Sequence, residues 1–168
     1  GVSDTHEDFE ALSLLGNIIS SGRTSVLYQK LVEEEKLALQ VAAFNGFPGT
    51  RFGSLFLTLA VPNQGVELDT LEQRIYDEIE IVKNGSITQE ELDRARTNIR
   101  AGIIRGLANN TGLALNFAST YMTKGDWRDV FLQLERYNDV TLDDLQRVAN
   151  KYLIKQTRTV GATVKADS

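Results

Sequence analysis

Two short apolar runs stand almost side by side in this chain, Leu37–Phe44 and Ser54–Val61, with no helix-length pattern between them. Val41, Phe44, Phe56 and Val61 mark both as strands. The intervening Asn45-Gly46-Phe47-Pro48-Gly49 is rich in turn residues. A parallel pair needs a crossover of about a dozen residues or more, usually through a helix, so strands this close in sequence pair antiparallel. That feature sets aside a doubly wound parallel sheet, in which strands and helices alternate singly. Pro62-Asn63-Gln64-Gly65 stops the second run.

Helical periodicity fills most of the remainder. Residues 7–20 carry Phe9, Leu12, Leu15 and Ile19 on one stripe. Gly16 inside that stripe costs about 1 kcal/mol of helix propensity against Ala, which close packing against a neighbour would explain. Ser20-Ser21-Gly22 breaks the helix, and a second begins near Thr24 with Leu27 and Leu31 on its apolar face and Glu34-Glu35 on an acidic one. After residue 65 a helix is expected from Asp69 or Thr70, bearing Leu71, Ile75, Ile79 and Val82, with Gly85 at a left-handed C-terminal position. Thr88-Gln89-Glu90-Glu91 is a capping box opening a helix with Leu92, Ala95, Ile99, Ile103 and Leu107. Asn109-Asn110-Thr111-Gly112 interrupts it, and further helices follow over Leu113–Met122 and Trp127–Tyr137. Thr141 with Asp144 opens the last, carrying Leu142, Leu145, Val148 and Tyr152. The β-branched run Thr157–Val164 reads as a third strand. The fold expected is α+β: one domain over residues 1–168, with an antiparallel or mixed sheet of three to four strands and helices packed on one face.

Chemistry is constrained by what the chain lacks. It has no cysteine and one histidine, His6, within Asp4-Thr5-His6-Glu7-Asp8, which reads as a solvated helix start. Disulfides and thiolate sites are excluded, and a catalytic zinc site normally takes several His or carboxylate ligands from rigid elements. The carboxylate pairs Glu90/Glu91 and Asp143/Asp144 fall in first helical turns, where the helix dipole favours anions, so capping explains them better than hydrolysis. Net charge is −5 with both signs interspersed, which lacks the clustered basic face of a nucleic-acid binder. Gly46/Gly49 and Gly102/Gly106 match no phosphate-binding fingerprint. No apolar run approaches the roughly 20 residues of a membrane span. Nothing in the sequence assigns a compartment.

Four segments in order resemble the insulinase/pitrilysin family of zinc peptidases, which includes mitochondrial processing peptidase. Ser20–Val32 resembles that family's G-G-R-S-S-R-L-Y-Q-x-L-R helix start, preceded by Asp8-Phe9, Ala11-Leu12 and Leu15-Gly16. Ser86–Arg96 is similar to its G-x-x-T-x-x-E-L-x-x-A-K helix, and Thr141–Tyr152 with Arg158-Thr159-Val160 to its closing run. The resemblance covers essentially the whole chain. It implies a domain built as an antiparallel sheet backed by helices, two of which form each half of a clamshell closing on a peptide. One domain of such proteins carries H-x-x-E-H, which binds zinc and activates water; this chain has no such motif.

An arginine and a tyrosine seven residues apart often assist catalysis from the distal domain in this family. Alignment places Val32 and Leu39 at those two positions and Lys36 where glycine is usual. Valine offers no donor and leucine no hydroxyl, so the assisting role is lost. Arg23 and Tyr28 lie nearby on the wrong spacing, and packing or capping accounts for them. The resemblance therefore implies no catalytic and no metal residue here. Zinc would sit in another domain of the same polypeptide or in a homologous partner subunit, with peptide as substrate. A non-catalytic structural subunit related to such peptidases is the alternative. Family habit suggests the periplasm for a bacterial member. It also suggests a strand upstream of Gly1, whose loss would leave an unpaired edge and favour self-association by strand addition or an equivalent apolar contact.

Overall fold

The computed structural model describes residues 1–163. Helix α1 (Phe9–Ser20) lies at its centre, with Leu12, Leu14, Leu15 and Ile19 fully buried and Ala11 and Ile18 nearly so. Burial on so many sides means that the expected single stripe understates it. One side packs on the sheet and the other on α3, α5 and α6, defined below. Gly16 lies at the sheet contact, where a Cβ would come within 3.2 Å of the Ala43 carbonyl oxygen and of Phe44 Cα. That close approach is the reason for the glycine.

The second helix is wound as a π-helix over Tyr28–Glu34, and the Glu35 amide bonds the Lys30 carbonyl five residues back. Leu27 and Leu31 anchor it in the core. Lys36 then takes a left-handed φ of 54° to turn the chain into the sheet.

Strands β1 (Ala38–Phe47) and β2 (Leu55–Pro62) pair antiparallel, with Val41 opposite Ala60, Ala43 opposite Thr58 and Phe44 opposite Leu57. β1 runs three residues beyond its expected end, through residues that read as turn formers. Gly46 accounts for this: it sits at a register shift between Asn45 and Phe47 with φ 99°, as a bulge residue does. One face of the hairpin packs on α1. The other exposes Phe44, Phe47, Leu55, Leu59 and Val61.

Among the described residues the sheet has two strands, not three to four. The expected third strand is replaced by a 3₁₀ turn at Lys155–Thr157 and an exposed stretch of no regular structure over 158–163; Val164 lies outside the described residues. Local β-propensity is decided by available partners. Here the Arg158 guanidinium stacks 3.4 Å from the Tyr76 ring centroid, which lays this stretch against a helix. Ala43 of β1 also has its amide and carbonyl bonded by one hydroxyl, Ser20 Oγ, at 2.5 and 2.9 Å.

The remaining helices are α2 (Leu68–Lys83), α3 (Gln89–Gly106), α4 (Asn110–Lys124), α5 (Asp129–Asp139) and α6 (Leu142–Tyr152). Both capping boxes form: Thr88 with Glu91, and Thr141 with Asp144. α2 starts earlier than expected, from Glu67, which makes no side-chain cap. Gly85 takes the left-handed conformation expected after it, at φ 82°. The Asn109–Gly112 segment is a cap rather than a break, since Asn109 Oδ1 accepts from the Gly112 amide at 2.8 Å and α4 begins at once. Trp127 precedes α5 instead of opening it, and stacks on Phe117 with centroids 4.8 Å apart.

Candidate functional site

The two aligned site positions end up in different surroundings. Val32, on the π-helix, is half-buried against the core. Leu39 lies at the start of β1, where the register shifts between Ala38 and Gln40, and its side chain is 61% exposed. A bulge aims its extra residue away from the regular pleat. Leu39 is therefore mostly in solvent and Val32 mostly against the core, and neither side chain carries a hydrogen-bonding group. Arg23 and Tyr28 do not join them: the Arg23 carbonyl accepts from Gln29 Nε2 at 2.5 Å, and Tyr28 packs on the core. Glu35 belongs to an ion pair with Arg74 of α2, in which Nε and Nη2 donate at 2.9 and 2.5 Å. Arg74 Nη2 also reaches buried Glu78 at 2.9 Å.

A polar cleft of about 560 Å³ opens where the turn before α1 meets α5 and α6. Asp8, immediately before α1, is fully buried. Its carboxylate accepts from Arg147 at 2.5 Å, Lys151 at 2.7 Å and Tyr152 at 2.6 Å, all on α6. Burial pushes the Asp8 carboxyl up, but the donors from Lys151, Tyr152 and Arg147 outweigh burial and hold it well below the usual carboxylate range. Arg136 of α5 donates to Glu10 at 2.6 Å and bidentately to Asp129 at 3.0 and 2.6 Å, and Lys124 reaches Asp129 at 2.8 Å. The three lining cations, Lys124, Arg136 and Arg147, are thus neutralised by lining or adjacent carboxylates. Such pairing fastens α1 to α5 and α6 and leaves no base beside a nucleophile.

Sequence reasoning missed this network, although Arg147, Lys151 and Tyr152 at helical spacing were a readable signal of one cationic face. His6 lies at the cleft mouth, half-exposed, and its Nδ1 accepts from the Asp8 amide at 3.0 Å. It closes the turn before α1.

The donor set does not fit zinc. No group of three or more His, Cys, Asp or Glu among the described residues is placed to hold a metal ion. Glu91 and Asp144, the most acid-rich helix starts, are spent on their caps.

A family model described as the peptidase M16 inactive domain matches residues 1–99. The chain belongs to that family. Against the Helicobacter pylori zinc protease PqqE, the M16 domain is 32% identical over 160 residues, covering 95% of this chain and 35% of the relative. A Streptomyces coelicolor zinc protease is 27% identical over 154 residues, 91% of this chain and 33% of that one. The M16 domain thus spans about a third of the length of these curated relatives. A crystal structure of an inactive peptidase domain from Bordetella parapertussis superposes with a TM-score of 0.84 at 28% identity, covering 99% of this chain and 88% of that one. A protease from Helicobacter pylori gives 0.81 at 30% identity over 91% and 36%. No helix among the described residues is long and apolar enough to cross a membrane.

Proposed function

We propose that residues 1–168 form one non-catalytic, C-terminal-type domain of a larger zinc metallopeptidase of the insulinase/pitrilysin kind, and that the domain walls a chamber in which peptide is cleaved. Zinc is held by another domain of the same polypeptide or by a homologous partner subunit. Val32 and Leu39 occupy the places of the assisting arginine and tyrosine, so a partner supplies those groups and Leu39 offers only an apolar surface to peptide. The observation that carries this reading is the match to an M16 inactive domain, in a chain whose metal-capable side chains form no site among the described residues. A periplasmic setting accords with the family's habit in bacteria.

Metal analysis and peptide cleavage test it together. The isolated domain, dialysed and then assayed, retains no stoichiometric zinc and cleaves nothing. The longer protein with its partner retains zinc and loses cleavage when a chelator is added. Stoichiometric zinc on the isolated domain, or chelator-sensitive cleavage by it, overturns the proposal. If the longer protein and its partner also lack zinc and cleavage, the chain belongs to a non-catalytic structural subunit. That second reading is favoured by the same loss of polar groups at Val32 and Leu39.

A further inference from the structure

The chain has one histidine, and it serves the turn before α1 as an acceptor. His6 Nδ1 receives the Asp8 amide at 3.0 Å, while the His6 backbone bonds Ser3 behind it and Phe9 ahead of it. That nitrogen accepts only when it carries no proton. The same nitrogen stands 3.9 Å from Asp8 Oδ2. Asp8 thus offers His6 two partners, an amide that donates and a carboxylate that accepts. Neutral imidazole suits the first and imidazolium the second.

We infer that His6 is a pH-operated latch: on protonation it releases the Asp8 amide, turns to donate to Asp8 Oδ2, and displaces the Tyr152 hydroxyl from that oxygen. Oδ2 already accepts from Lys151 at 2.7 Å and from Tyr152 at 2.6 Å, while Oδ1 accepts from Arg147 at 2.5 Å. A carboxylate oxygen has two lone pairs, so a new donor on Oδ2 replaces an old one. Of the two there, lysine is charged and the phenol is neutral. Bonds between charged partners are roughly twice as strong, so the phenol yields. Acidification therefore opens the bond that closes the turn and frees one of the three α6 donors that hold the start of α1.

The surroundings favour this change. The cleft beside His6 presents the carboxylates of Asp4, Glu7, Glu10, Asp129, Asp139 and Asp144, and the cations of Lys124, Arg136 and Arg147. Arg136 pairs with Glu10 and Asp129, Lys124 with Asp129, and Arg147 with Asp144. Asp4, Glu7 and Asp139 keep no cation among the described residues, so the excess charge on the cleft side is negative. Arg147 and Lys151 oppose the change from beyond the Asp8 carboxylate that they share. Histidine changes charge between about pH 5 and 8. Asp8, held well below the usual carboxylate range, stays ionised throughout that interval and remains an acceptor. The His6 side chain is 38% exposed, which gives the ring access to protons and room to turn.

NMR of the 168-residue chain between pH 8 and pH 5 reads the exchange. The single imidazole gives one titrating signal. The Asp8 amide and the Tyr152 ring resonances move with the same midpoint. His6→Asn sets Oδ1 in the place of Nδ1, and asparagine readily bonds the amide two residues on. The turn then persists at every pH, and both responses disappear. Tyr152→Phe removes the donor that must yield, and the midpoint of the imidazole signal rises by about half a pH unit. An Asp8 amide or a Tyr152 ring that stays still while the imidazole titrates overturns the inference. So does either response persisting in His6→Asn, or an unmoved midpoint in Tyr152→Phe. Should either variant fail to fold, the wild-type titration decides alone.

Discussion

Helices α1 and α4 are of similar length and similarly poor in charge, yet α1 buries eight of its twelve residues and α4 none of its fifteen. Composition separates them only in part, α1 being richer in large aliphatic side chains and α4 in Asn and Thr. Position does the rest: α1 has the sheet on one side and three helices on the other, whereas α4 packs chiefly on the flanks of α3 and α5. Apolar character shows that a helix requires cover, and only the assembled chain shows whether it has that cover within itself.

The strongest way to break this comparison is to cut the same side chain back in both helices. Leu15 is fully buried and Leu115 is not. Leu15→Ala loses its contacts and leaves a cavity, and is expected to cost about 3 kcal/mol in urea unfolding. Leu115→Ala is expected to stay within about 0.5 kcal/mol under conditions where the chain is monomeric. Equal losses at the two sites would mean that α4 has a partner within the chain.

A somewhat smaller effect is expected at the ion cluster that fastens α1. Asp8→Asn removes a fully buried charge that three α6 side chains address, and should cost about 2 kcal/mol. Its pH dependence has a definite sign. The folded carboxyl titrates below the unfolded one, so its contribution is complete above the ordinary aspartate value of about 3.9 and disappears as pH falls below it. Wild-type stability should therefore drop more steeply on acidification than that of Asp8→Asn. Parallel curves for the two proteins would show that Asp8 does not carry this linkage.

Much of this contrast was legible in the sequence, for reasons that differ from element to element. The capping boxes at Thr88 and Thr141 are local chemistry, complete within four residues, and both form as expected. The hairpin follows from two adjacent apolar runs. Of the run Thr157–Val164, the described residues form no strand, and Arg158 lies over the Tyr76 ring instead. Gly46 read as a turn and serves as a bulge, since positive φ suits either use. Val32 and Leu39 were identified by alignment, but period alone does not reveal that one faces the core and the other solvent. That depends on the register shift at Leu39. The Asp8 cluster joins residues about 140 apart in sequence, beyond the reach of any local pattern.

The mildest test sharpens the comparison at two glycines, where one substitution should have opposite signs. In a helix interior, glycine costs up to about 1 kcal/mol relative to alanine through backbone freedom in the unfolded chain. Gly102, exposed within α3, has nothing within 4 Å of an added Cβ, so Gly102→Ala should recover most of that and stabilise the chain by about 0.5 kcal/mol. Gly16 has the same propensity to recover, but its Cβ would press at 3.2 Å on the Ala43 carbonyl and on Phe44 Cα. Those are backbone atoms of a paired strand, and Ser20 further fixes Ala43 through both of its backbone groups. The strand must move by a few tenths of an ångström, and strain of that kind in a filled core typically costs 1–3 kcal/mol. Net of the propensity gain, Gly16→Ala should destabilise by about 1 kcal/mol. Paired denaturation curves read both signs at once, and stabilisation by Gly16→Ala would mean that α1 has slack against β1 and that its glycine answers to something other than the sheet.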